Sequence, residues 1–213
     1  MQATCRGETD LVLGLDEDDP QLLNYSMVGL DEDSDELTGG PAVEIRADLH
    51  QVVAWINELA VPRAQDYRAI GTIGDDNVPK TIGWDVRIME ALQATPFAFG
   101  NDLYPFRPPG ELCCHVFMRS EIVAALGYFG PPRFASMYVD NAWMAWGNAA
   151  GITYLDDVIM EHLHHTAGKS EYDQTYAASL NYMSSGAAVF AGYCADAAGL
   201  AADLATIRTV APW

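Results

Sequence analysis

Short apolar runs alternating with amphipathic helical stretches predict an α/β fold, with a mainly parallel sheet flanked by helices. Three observations carry the expectation. The apolar runs Leu11–Leu15, Ala42–Ile45, Ala69–Gly74, Phe97–Gly100 and Leu112–Met118 are short and bounded by turn residues. Stretches with helical spacing, at 48–60 and 84–92, separate them. The chain has 213 residues, 50% of them hydrophobic, which suffices for one domain with a full core.

Taken in order, Met1–Gly7 reads as the tail of a helix ending in a capping glycine. Leu11–Leu15 reads as a buried strand that runs into the acidic cluster Asp16–Pro20, and Pro20 can start a helix from Gln21 through Tyr25. Residues 31–41 form a polar, acidic loop, followed by a strand at Ala42–Ile45. Asp48 can cap a helix running to Ala60, with Leu49, Val52, Val53, Ile56 and Leu59 on one stripe, and Pro62 ends it. The run 69–74 is a strand that delivers the turn Asp75-Asp76-Asn77. Trp84–Leu92 is an amphipathic helix, Phe97–Gly100 a strand closed by Asn101-Asp102, Leu112–Met118 a strand, and Ser120–Leu126 a helix stopped by Gly127. Tyr138–Asn148 is helical, with Val139, Trp143 and Trp146 on one side. Ile152–His164 ends in strand alternation, which puts Met160, His162 and His164 on one face and Glu161, Leu163 and His165 on the other. The Ala-rich remainder is helical, with breaks expected at Gly186 and Gly199; residues 177–213 form a C-terminal helical extension of the single domain.

The net charge of −19 argues against nucleic-acid or anionic-membrane binding, both of which need a basic face. With only 11 Lys and Arg, a phosphate ligand would call for a cation. Cys5, Cys113, Cys114 and Cys194 have no CxxC spacing and read as reduced, mostly buried thiols of a cytoplasmic protein. No apolar stretch approaches the ~20 residues of a membrane span, and the N-terminus has no signal-peptide layout.

Acids cap three expected strands: Asp16/Asp18/Asp19, Asp75/Asp76 and Asp102. Strands sharing a direction deliver such caps to one rim, where ligands of open α/β sheets bind. Adjacent acids repel unless a cation arrives, and a divalent ion holding a diphosphate answers that need; the plainer reading of Asp75-Asp76-Asn77 is a solvated turn. His162 and His164 lie on one strand face and can meet a metal held by Asp76, or they form a hydrogen-bonded surface pair. Asp140 sits among large apolar residues, where desolvation raises a carboxyl toward a useful general base; as a helix N-terminal acid it also suits the helix dipole without any function.

Together these residues resemble the nucleotide-sugar-dependent glycosyltransferases of the GT-A fold, of the inverting family 2 type, in the compact form found in actinobacteria and their phages. The motifs are Leu11–Pro20, Asn57 within Trp55–Ala60, Asp75-Asp76-Asn77, Leu126–Phe129 with Val139-Asp140-Asn141, and Glu161–His164 followed by Gly168-Lys169 and Asp173–Tyr176. The likeness covers roughly residues 8–182. Two departures accompany it. The family's first strand, with the start of its helix, is expected ahead of Met1 and is absent, so either the start is truncated or the base pocket is completed differently; and Asn77 stands where a strict DxD motif has its second Asp, so a metal leans on Asp76 and a His.

The resemblance implies transfer of a sugar from a nucleoside-diphosphate sugar (a UDP- or GDP-sugar) to a hydroxyl of a sugar, protein or small-molecule acceptor. In that scheme Asp140 is the catalytic base. Asp16 and Asp18 meet the base, Asp75 the ribose, and Asn57 belongs to the nucleotide-sugar side. Mn²⁺ or Mg²⁺ sits on Asp76 with His162 or His164, and Arg119 and Lys169 are the phosphate cations, or else surface charges. Two other classes fit the same residues: a metal-dependent phosphoester hydrolase, and a non-catalytic nucleotide-sugar-binding module. The loops 102–112 and 127–137 would choose the acceptor. The Ala-rich tail suits either cover for its own sheet or pairing in a homodimer.

Overall fold

The computed structural model describes residues 4–16, 42–46, 51–172, 177 and 183–212. The expected helix at 21–25, the loop at 31–41 and the Asp48 cap lie outside them. Strands β1 (Val12–Asp16) and β2 (Ala42–Arg46) pair in parallel, and helix α1 (Val52–Ala60) packs against β1. A second sheet holds β3 (Ala69–Gly71), β4 (Asn77–Pro79), β5 (Phe97–Asn101), β6 (Phe117–Arg119) and β7 (Ile152–His162), in the order β3-β6-β5-β7-β4. Helices α2 (Trp84–Ala94), α3 (Ser120–Leu126), α4 (Val139–Ala150), α5 (Met183–Ala195) and α6 (Leu200–Val210) complete the α/β architecture.

The larger sheet is mixed, not mainly parallel. Among the described residues of this sheet, only β5 and β7 pair in parallel; β3 with β6, β6 with β5 and β4 with β7 are antiparallel. The reason is the connection between β5 and β6. A parallel neighbour needs a crossover, usually a helix. Residues 102–116 supply none and simply turn the chain back. Because β3 and β5 both oppose β6, they still share a direction, and β7 shares it with them.

Alternation along the strands sorts the core into two layers. Phe97, Phe99 and Met118 face a cluster built from Val53, Phe129, Trp143, Trp146, Tyr193 and Ile207, on the α1, α3, α4, α5 and α6 side. Ala98, Phe117, Val158 and Met160 face Trp84, Ile88 and Leu92 of α2. The C-terminal helices therefore complete the main core. Among the described residues no single helix is long and apolar enough to cross a membrane.

Several elements differ from expectation. The apolar run 112–118 becomes a strand only at Phe117; Cys113, His115 and Val116 are buried in irregular chain instead. Gly186 does not break its helix. It lies inside α5, where a Cβ would come within 2.8 Å of the Tyr138 ring and 3.2 Å of the Met137 carbonyl oxygen, so its bareness allows close packing. Gly199 does mark a helix boundary, at the N-cap of α6. Residues 5–10 are not helical; the amides of Arg6 and Gly7 donate to the Asp85 carboxylate at the start of α2. Of the four cysteines, all free, Cys113 is buried, Cys5 and Cys114 are half-buried and Cys194 is exposed.

Candidate functional site

The shared direction of β3, β5 and β7 brings their C-terminal ends to one rim. Asp76 follows β3, Asp102 follows β5, and His162 ends β7. The chain that returns to β6 carries Cys114 to the same edge. The geometry is fixed by short-range pairing: the His162 amide donates to the Asp102 carbonyl oxygen (2.9 Å) and the Leu163 amide to that of Asp76 (2.7 Å).

β7 reaches this rim by bending. Its first half pairs with β5 and its second half with β4, and a bulge absorbs residues 156–158 between the partners of Gly100 and Asn101. The second half sets Asn77 opposite His162. There His162 Nε2 lies 2.9 Å from Asp76 Oδ2, a contact between residues 86 apart in sequence. The His162 Nδ1 atom is buried and without a partner. His164 packs edge-on to His162 at 5.0 Å, and its Nδ1 lies 2.8 Å from the Thr166 hydroxyl, which also meets the Tyr104 hydroxyl at 2.9 Å. Burial and the neighbouring His162 and His165 hold the His164 pKa below its ordinary value.

A second group of side chains lies beside this pair. Arg107 ion-pairs with Asp102, donates to Cys114 Sγ at 3.1 Å and stacks over the Tyr104 ring at 4.8 Å. The Cys114 thiol faces Asp140 Oδ2 at 4.0 Å, and the Cys113 thiol faces the Asp140 carbonyl oxygen at 3.7 Å. Burial, reinforced by the Asp140 charge, pushes the Cys114 thiol up to about 12, so it stays protonated. Asp140, in the first turn of α4, is itself raised by burial, against the Asn141 amide and the Arg107 charge that favour its anion. Asp102, Cys114 and one nitrogen of His162 come within 4.8 Å of one another.

Two non-glycine residues take left-handed backbone here: Leu103 (φ 53°), directly after Asp102, and Tyr138 (φ 70°), the N-cap of α4. Such conformations cost about 1–2 kcal/mol each and gather at functional sites. Both flank a cavity of about 440 Å³, within the range of ligand sites. Its wall includes Asp76, Tyr104, Arg107, Cys114, Asp140 and the pair His162/His164.

Of the residues singled out in the sequence, Asp76, Asp140, His162 and His164 thus meet around one cavity. Asp75 is exposed on the turn beside them. The others lie elsewhere or are engaged. Asn57 ties α1 to the chain after α3: its amide donates to the Gly130 carbonyl oxygen and its oxygen accepts from the Phe129 and Gly130 amides. Arg119 caps the end of α2, donating to the carbonyls of Leu92 and Gln93, which leaves it off the cavity wall. Lys169 pairs with Glu161 (3.0 Å), on the β7 face opposite His162. Asp16 closes β1, its side chain outside the described structure, and Asp18 is not among the described residues. Arg107 and Cys114 were not legible as site residues. Their signal was only position: Arg107 comes five residues after a strand-capping acid, and Cys114 lies in an apolar run that reads as core. Of the aromatics in and beside the loops 102–112 and 127–137, Phe129 and Phe134 are buried, Tyr104 and Tyr138 line the cavity, and Phe106 is 67% exposed. The chain matches no protein-family model, no curated protein and no solved structure.

Proposed function

We propose that the protein is a metal-dependent glycosyltransferase of the GT-A type, moving a sugar from a nucleoside-diphosphate sugar to an acceptor hydroxyl with inversion. The observation that carries this reading is the shared cavity: the Asp76–His162 pair and the raised carboxyl of Asp140 face the same 440 Å³ space. The donor set at the rim fits a divalent ion. A carboxylate oxygen and an imidazole nitrogen already sit 2.9 Å apart at the mouth of an open cavity. Mixed oxygen and nitrogen ligation suits Mn²⁺ better than Mg²⁺, which favours oxygen.

Asp76 and His162 would hold the ion, which when bound supplies the positive charge that stabilises a departing diphosphate. Arg107, rather than Arg119, is the cation on the cavity wall able to meet phosphate oxygens. Asp140 takes the proton from the acceptor hydroxyl. Its raised pKa makes it a stronger base than an ordinary aspartate.

The test is calorimetry of UDP and GDP with and without Mn²⁺, coupled to product analysis with a UDP- or GDP-sugar. The expected result is Mn²⁺-dependent binding that is lost in Asp76→Ala. Absence of nucleoside-diphosphate binding in the wild type would sink the reading. Release of free sugar or phosphate at full rate without an acceptor would turn it into a hydrolase.

A further inference from the structure

We infer that Asp102, Cys114 and His162 form a site for a thiophilic divalent cation, Zn²⁺ first, which shares His162 with the Asp76 position but replaces its Asp76 oxygen by the Asp102 carboxylate and the Cys114 sulfur. One carboxylate oxygen, one sulfur and one imidazole nitrogen already lie within 4.8 Å of each other, from three separate stretches of chain. Ligands at zinc distances of ~2.0–2.3 Å in a tetrahedron stand roughly 3.3–3.7 Å apart, so small side-chain rotations close the set. Carboxylate, thiolate and imidazole are the zinc ligand types, and sulfur selects zinc over manganese and magnesium. The His162 imidazole has one nitrogen, Nε2, against Asp76, while the other, Nδ1, is buried without a hydrogen-bond partner, so the ring retains an unused polar atom. Cys114 and His162 both line the cavity, through which an ion and a further ligand can reach them.

The present occupant of this position is a guanidinium. Arg107 bridges Asp102 and Cys114, and it must swing away on its flexible stem when the ion enters. The thiol gives up its proton to solvent as the Zn–S bond forms, so each ion bound releases one proton. A neutral imidazole has one lone pair to offer, so His162 serves one ion at a time. Zinc here therefore opposes Mn²⁺ at Asp76.

Cobalt, a spectroscopic stand-in for zinc, tests the site in the full chain. Titration with Co²⁺ is expected to give one equivalent bound, with a thiolate charge-transfer band in the near ultraviolet and one proton released per ion. Competition with a chromophoric chelator then gives the Zn²⁺ affinity. Cys114→Ser should abolish the band and weaken zinc at least tenfold, whereas Cys113→Ser retains both. Arg107→Ala, which removes the competing cation and no ligand, should tighten zinc binding. A band that survives Cys114→Ser, equal zinc affinity in that variant, or unchanged affinity in Arg107→Ala would each overturn the proposal. Far-ultraviolet circular dichroism of each variant establishes that it is folded. Mn²⁺-dependent nucleoside-diphosphate binding is measured separately, in wild type and in Cys114→Ser. Its absence would sink the transferase reading alone, because the cobalt band does not depend on it.

Discussion

A carboxylate in the first turn of a helix is favoured as an anion by the helix dipole, yet at Asp140 burial acts the other way and prevails. Asp140→Asn keeps the shape and removes the basicity. On the proposed transferase reading, sugar transfer is expected to fall ~10²–10⁴-fold, with nucleoside-diphosphate binding unchanged, by steady-state rates against calorimetry. His115 offers a different test. It is fully buried, its Nε2 accepts the Gly100 amide at 3.2 Å, and its Nδ1 has no partner. Burial pulls its pKa from 6.5 down to about 4. The unfolded chain takes up this proton near pH 6.5, the fold only near pH 4. The contribution to stability is thus complete above pH 6.5 and disappears as pH falls from there to about 4, by about 3 kcal/mol in all. His115→Gln retains an acceptor for Gly100 and is expected to flatten that part of the acid limb in urea melts.

Among the elements, β7 does the most to place the site, and its bulge depends on Gly100. A Cβ there would lie 2.4 Å from the Val158 carbonyl oxygen, a backbone atom that cannot yield without moving the strand. Gly100→Ala is expected to lower stability by about 1–3 kcal/mol and to weaken nucleoside-diphosphate binding as well, because the displaced segment leads to His162. The same element shows what the sequence could and could not convey. Alternation at its end put His162 and Met160 on one face, and Met160 is indeed buried. Helix α3 was legible to the residue, because Gly127 stops it in a left-handed conformation (φ 76°). The antiparallel course of β6 departs from the parallel sheet the alternation predicts, though the Pro-rich stretch 105–110 carries no helical pattern and so offers no crossover. Arg107 carries no signal in the sequence, for a physical reason. Its importance comes from Asp102, Cys114 and Tyr104 around it, and three-dimensional folding alone assembles that company.

At the scale of the whole molecule, one buried polar knot ties the last helix to the core. Asp203 of α6 accepts hydroxyls from Tyr128 and Tyr193, and the Tyr193 oxygen accepts the Trp146 indole N–H at 2.7 Å. Burial and Asp203 raise the Tyr193 pKa, so the phenol stays a donor. Tyr193→Phe strands both the indole and one carboxylate oxygen. It is expected to lower stability by about 1–3 kcal/mol in thermal melts while leaving intact the Mn²⁺-dependent binding proposed for the cavity, whose wall includes none of these four residues. Strand β4 is joined to its sheet by β7 alone among the described strands. During synthesis, then, the carboxylate at position 76 waits for a partner that emerges 86 residues later. A nascent or truncated polypeptide lacking that final strand would possess the acids without the imidazole, so on the proposed reading capture of a cation would report that the sheet had closed.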